Sequence, residues 1–136
     1  MHLTTNAVHT KCAIFSIIEE GVLRIDMLEG AEIDLIESKI LHKISLEITD
    51  YKKFVALIDA RATVVVSKEA REWGSSPEAQ ENMLAQAILV NSLANRLIGN
   101  FIIQFHKPIA KTKLFSDELT ALTWLKEQKK NLMKES

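Results

Sequence analysis

A single cysteine, Cys12, in a chain of 136 residues leaves no partner for an intrachain disulfide, so covalent stapling is excluded and a reducing compartment suits the chain. Two prolines and four glycines give little material for linkers, low-complexity tracts or repeated turns. No charge of one sign dominates, since seventeen Lys plus Arg stand against eighteen Asp plus Glu. The broad basic field that draws proteins to nucleic acid or anionic membranes is therefore missing. No apolar run approaches the roughly 18 residues that span a bilayer. Met1 to Lys11 is mostly polar and has no apolar core of a secretory signal. The expectation is a cytoplasmic protein with no nucleic-acid partner and no stable membrane insertion. What is abundant is apolar side chain, at 47% of residues. A chain of this size buries about two-thirds of its unfolded surface on folding, enough for one domain without metal or disulfide. One domain over residues 1–136 is expected, with 1–10 a loose lead-in and 11–130 folded.

Lys11 to Ile18 is an apolar run, and Val22 to Met27 alternates Leu23, Ile25 and Met27 with Arg24 and Asp26. Period two marks a half-buried strand, and the short link Glu19-Glu20-Gly21 predicts an antiparallel hairpin. From Ala31 to Ile48 the spacing of Ile33, Ile36, Ile40, Ile44 and Ile48 changes to that of a helix, with Leu41 widening the stripe. Phe54 to Ile58 is too continuous for a one-sided strand and too short for a typical helix, and predicts a strand covered on both faces. Arg61 to Val66 reads as a loop or brief strand, followed by a short helix that Ser67 caps and Gly74 ends. Pro77 and the Ser75/Glu78 capping-box spacing predict a second, longer helix from about residue 75 to Ile98. Phe101 to Phe105 predicts a further strand. Ser116 reads as the cap of a closing helix with Asp117 and Glu118 in its first turn and lysines toward its end.

Helices between the later strands imply parallel pairing, and the opening hairpin makes the sheet mixed: an α/β fold. This order resembles STAS, or anti-sigma-factor-antagonist, domains and the related SpoIIAA-like proteins, some of which are grouped with the Sec14-like lipid-binding fold. Phe115-Ser116-Asp117-Glu118 with Ala121 and Trp124-Leu125 looks like the family's closing helix; the strand ending in Asp59 looks like its central strand; and the hairpin with Gly21 matches its start. The resemblance runs from about Lys11 to Leu125. It implies a mixed sheet of four to five strands with an N-terminal β-hairpin and helices as crossovers, and a non-catalytic regulatory or interaction role. Signalling members carry a phosphorylatable Asp-Ser-Ser-Gly-like turn after the central strand. Here Asp59 is followed by Ala60-Arg61-Ala62-Thr63, so the phosphoswitch is expected to be lost, with Thr63 and Ser67 the nearest substitutes.

Open α/β sheets bind ligands beyond the carboxyl ends of their parallel strands. Asp59 and Arg61 leave one predicted strand end, His106 and Lys107 another, and these four residues form the candidate recognition site. The commoner explanation of such a pair is a loop-closing ion pair, and of such a histidine, a strand terminator. The four histidines, His2, His9, His42 and His106, lack the spacing of a metal site, and neither a nucleotide-binding glycine motif nor a nucleophile elbow occurs. No metal or cofactor is expected. Cys12 reads as an inert buried thiol, and Trp73 and Trp124 as packing anchors. Leu84 to Val90 is apolar almost all round. On the predicted helix that surplus makes Leu84, Ile88 and Leu89 a candidate homodimer or signalling-partner surface, or the wall of a cavity for a small apolar ligand. An interaction module is thus the first expectation, an apolar-ligand carrier the second, and an enzyme using Asp59 and His106 the third.

Overall fold

The computed structural model describes residues 7–91 and 109–133. In chain order the elements are β1 (Val8–His9), β2 (Ala13–Glu19), β3 (Val22–Met27), β4 (Glu32–Ile33), α1 (Leu35–Ile48), β5 (Phe54–Asp59), β6 (Val65–Val66), α2 (Lys68–Gly74), β7 (Met83–Leu89), β8 (Lys111–Phe115) and α3 (Glu118–Met133). Six strands form one sheet in the order β1-β2-β3-β5-β7-β8, and β4 pairs with β6 in a separate two-stranded ribbon. The first three strands run antiparallel, whereas β3, β5, β7 and β8 are parallel neighbours. The expected hairpin is present, and Gly21 makes its turn at φ +81°, where a side chain would be strained.

Alternation along the strands sorts the core onto two faces. Val22, Val55, Leu57, Ala85, Ala87, Leu89 and Phe115 point one way and are covered by Ala121 and Leu125 of α3. Ala13, Phe15, Leu23, Phe54 and Ala56 point the other way, against Leu41, Ile44 and Ile48 of α1. Because β5 is buried on both faces, its apolar run is continuous rather than alternating.

Applied to residues 83–89, the same principle corrects the sequence reading. In place of a helix to Ile98 there are turns up to Asn82 and then β7, a central strand in parallel register with β5 from Phe54↔Met83 to Asp59↔Leu89. Its all-round apolarity comes from cover on both faces, and its alanines let α3 lie close. The capping signal was local: the Ser76 hydroxyl accepts from the Ala79 N–H and donates to the Trp73 carbonyl, closing a turn. Residues 92–98 of that expected helix, and the expected strand Phe101 to Phe105, lie outside the described residues. The sheet also exceeds the four to five strands expected, because β1, β7 and β8 stand where the sequence reading places no strand.

Smaller differences have similar local causes. Helix α1 begins only at Leu35, with the Asp34 carboxylate accepting from the Glu37 N–H, because Glu32 and Ile33 are taken by the ribbon with Val65 and Val66. Ile36 and Ile40 consequently face outward, 70% and 44% exposed. Asp117 rather than Ser116 caps α3, accepting from the Thr120 N–H and hydroxyl. Lys126 and Lys129 are not merely a solvated helix end: they lie 3.3 and 3.4 Å from the Glu19 carboxylate, and Lys129 also donates to the Glu20 carbonyl, so α3 grips the hairpin at its far end.

Candidate functional site

Parallel pairing of β3 with β5 sets Asp26 opposite Asp59 on the α3 face of the sheet, near the carboxyl ends of both strands. Two adjacent carboxylates there require cations. Arg61 supplies the first. Its Nε and Nη2 donate to the two oxygens of Asp59 at 2.9 and 2.7 Å, and its backbone N–H donates to Oδ1 at 3.1 Å. The second is Arg24, two residues before Asp26, whose Nε donates to both Asp26 oxygens at 3.0 and 3.1 Å. Its Nη2 reaches Asp59 at 3.4 Å, and its Nη1 reaches Glu118, the first residue of α3, at 3.1 Å. The result is a clasp of two arginines and three carboxylates tying β3, β5, the loop after β5 and the start of α3 together. Hydrogen bonding from Arg61, with the charges of Arg61 and Arg24 behind it, holds the Asp59 carboxyl below its ordinary range although burial works the other way. Asp59 and Arg61 therefore pair as their spacing implied. The sequence reading missed Arg24, Asp26 and Glu118, although a parallel register between β3 and β5 already sets Asp26 beside Asp59. His106 and Lys107 lie outside the described residues.

On the α1 face, the chain after β5 forms a ridge. Its backbone is pinned by Gly30 N–H to the Thr63 carbonyl (2.7 Å), Val65 N–H to the Ala31 carbonyl (2.9 Å) and Thr63 N–H to the Glu29 carboxylate (3.1 Å). Arg61, Thr63 and Val65 are exposed along it, Val65 by 64%. Ser67 is engaged in capping α2, its hydroxyl accepting from the Ala70 N–H at 3.1 Å. Behind the ridge is a largely apolar cavity of about 610 Å³, floored by Ile58, Ile88 and Leu114 and walled by Val64 and Val66. Its two buried glutamines are already bonded: Gln86 donates to Thr112 at 2.9 Å, and Gln80 accepts from the Ala110 N–H.

The three residues offered as a partner surface sit otherwise than on a free helix. Leu89 is fully buried in the sheet, Leu84 packs against the α3-side core, and Ile88 floors the cavity. Leu84 and Leu89 therefore lie within the packing of the sheet rather than on an open helix face, and Ile88 lines the cavity. Cys12 is 1% exposed, with its thiol directed at the Glu32 carbonyl and the Glu37 carboxylate (3.7 and 3.6 Å). Burial, and then the Glu37 charge, push its pKa up, so it stays an unreactive thiol. Both tryptophans are half-buried: Trp73 lies against His42, ring centroids 5.6 Å apart, and Trp124 against Phe115 at 5.5 Å. Among the described residues no group of His, Cys, Asp and Glu is arranged to hold a metal ion, and no helix is long and apolar enough to cross a membrane.

A mixed sheet opened by an antiparallel hairpin, continued by parallel strands and closed by a C-terminal helix defines a SpoIIAA-like α/β domain. A solved structure bears this out at the level of fold: an uncharacterized protein from the DUF3478 family with a SpoIIAA-like fold, from Shewanella loihica PV-4, superposes with a TM-score of 0.57 at 15% identity, covering 88% of this chain and 90% of that one. The chain itself belongs to the family described as domain of unknown function DUF7793, whose model matches residues 16–129. No curated protein matches the chain.

Proposed function

We propose that this chain is a non-catalytic regulatory module that recognises another protein through the carboxyl edge of its parallel strands, with Asp59, Arg61, His106 and Lys107 contributing and without a phosphorylatable switch at Thr63 or Ser67. The observation that carries the reading is the ridge after β5. A loop pinned through its own backbone hydrogen bonds that still leaves Val65 and Arg61 exposed is a preorganised surface, and ordering it costs nothing further on binding. The clasp holds the base of that ridge at a fixed angle to the sheet. Val65→Asp is expected to leave the melting temperature within a few degrees of wild type, because Val65 is exposed and outside the clasp, while abolishing recovery of the partner that wild type retains in crosslinking from its own cells. Equal recovery by the variant and wild type defeats the reading.

The cavity favours a second reading, a carrier of a small apolar ligand, because its volume falls within the range of small-molecule sites and its lining is mostly apolar. Native mass spectrometry of freshly purified protein separates the two. A lipid-sized adduct lost in Ile88→Trp, which fills the cavity floor, supports the carrier; a clean apo mass speaks against it.

A further inference from the structure

The edge of the sheet at β8 carries the features of a peptide-docking groove. The Phe115 carbonyl accepts from the Val90 N–H, on the side of β7. By strand alternation, the N–H and C=O groups of Thr112 and Leu114 point away from β7, and no described residue pairs with them. Beside this open edge, on the α3 face, is a shallow groove of about 380 Å³ between strand and helix, lined by Lys113, Phe115, Leu119, Thr123, Trp124 and Glu127. Leu119 is 74% exposed, the largest exposure among the exposed large apolar side chains of the described residues. An open strand edge with an apolar trough alongside is the geometry by which extended peptides add to a sheet, their backbone pairing with the edge and alternate side chains entering the trough.

Charge decides what fits. Lys111, Lys113 and Phe115 share the α3 face of β8, and neither lysine has a carboxylate within ion-pair distance among the described residues; Lys113 instead stands over the Phe115 ring at 5.5 Å. The lysines at the other end of α3 are engaged by Glu19. A second copy is a poor occupant. Antiparallel pairing of β8 with itself about Thr112 sets Lys111 against Lys113, and pairing about Lys113 sets that lysine against itself, and like charges directly opposite are destabilising. We propose that β8 and the groove beside α3 bind an extended, acidic segment of another protein, adding it as a further strand. Acidic side chains at alternate positions face Lys111 and Lys113, and an apolar side chain enters the groove between Phe115, Leu119 and Trp124. This surface lies on the face opposite the ridge and stands without the ridge reading.

The probe is a blocked peptide, Thr-Leu-Thr-Glu-Thr-Glu-Thr, and its retro-sequence, titrated into isotope-labelled protein. One of the two orders is expected to bind, shifting the amide signals of Thr112 and Leu114 and slowing their exchange with solvent. Lys113→Glu is expected to weaken that peptide at least about tenfold and to gain binding of the Thr-Leu-Thr-Lys-Thr-Lys-Thr counterpart. Leu119→Asp, at an exposed position where folding is not at stake, is expected to weaken it as well, whereas Val65→Asp leaves it unchanged. The proposal is overturned if neither acidic order binds, if Lys113→Glu or backbone N-methylation of the peptide leaves affinity unchanged, or if the β8 amides prove protected by self-association without any peptide.

Discussion

Leu125→Ala is expected to lower the stability of the domain by about 3 kcal/mol, seen as a fall in the urea midpoint with little change of slope. Leu125 is fully buried in the cluster formed with Val55, Leu57, Ala85, Ala87 and Leu89, and it is where α3 inserts between the two central strands. The alanines of β7 leave no long side chain to swing into the space it vacates, so most of the cavity persists. The neighbouring Trp124→Ala is expected to cost less, about 2 kcal/mol, although tryptophan is the larger residue. Trp124 is only half-buried, with one side on Phe115 and the other open to the groove. A larger loss at Trp124 than at Leu125 would show that α3 is held by its outer rim rather than by its central ridge.

Legibility in the sequence followed the amount of cover each element receives. The hairpin, α1, β5, α2 and α3 were readable because each presents one consistent periodicity or one unbroken apolar run bounded by turn chemistry. Residues 83–89 were not, because a strand buried on both faces by a helix and a cavity wall loses its period of two, and Met-Leu-Ala-Gln-Ala-Ile-Leu consists largely of good helix formers. Here tertiary cover overrode propensity. Strand β8 was missed for the opposite reason: as an edge strand it alternates Lys111, Thr112 and Lys113, and only Leu114 and Phe115 are apolar enough to draw attention. Of the site, the Asp59/Arg61 pair was legible from a spacing of two residues, whereas Arg24 reaches Asp59 across 35 positions and Glu118 across 94. Such contacts follow from the register of β3 on β5 and from where α3 starts, and periodicity carries no information about either.

Arg24→Met is expected to cost about 2 to 3 kcal/mol at neutral pH, because it leaves Asp26, Asp59 and Glu118 to share Arg61. The figure is set below that for a fully buried pair because these side chains are between 16% and 42% exposed and water screens part of the repulsion. Methionine keeps most of the aliphatic stem, so the loss reports on charge rather than packing. The effect of pH follows from Asp59. Its pKa in the folded state is depressed, so the stability it contributes is fully present above the ordinary carboxylate range and is lost as pH falls through the lower folded value. In the variant Asp59 no longer has the charge of Arg24 behind it and binds a proton more readily, which relieves the repulsion. The deficit between variant and wild type is therefore expected to be widest near pH 7 and to narrow below about pH 4. Denaturant melts of both proteins across that interval measure it directly. An equal deficit at both ends would place the role of Arg24 in its stem, and the clasp would then be a packing feature of the β3–β5–α3 corner rather than an electrostatic one.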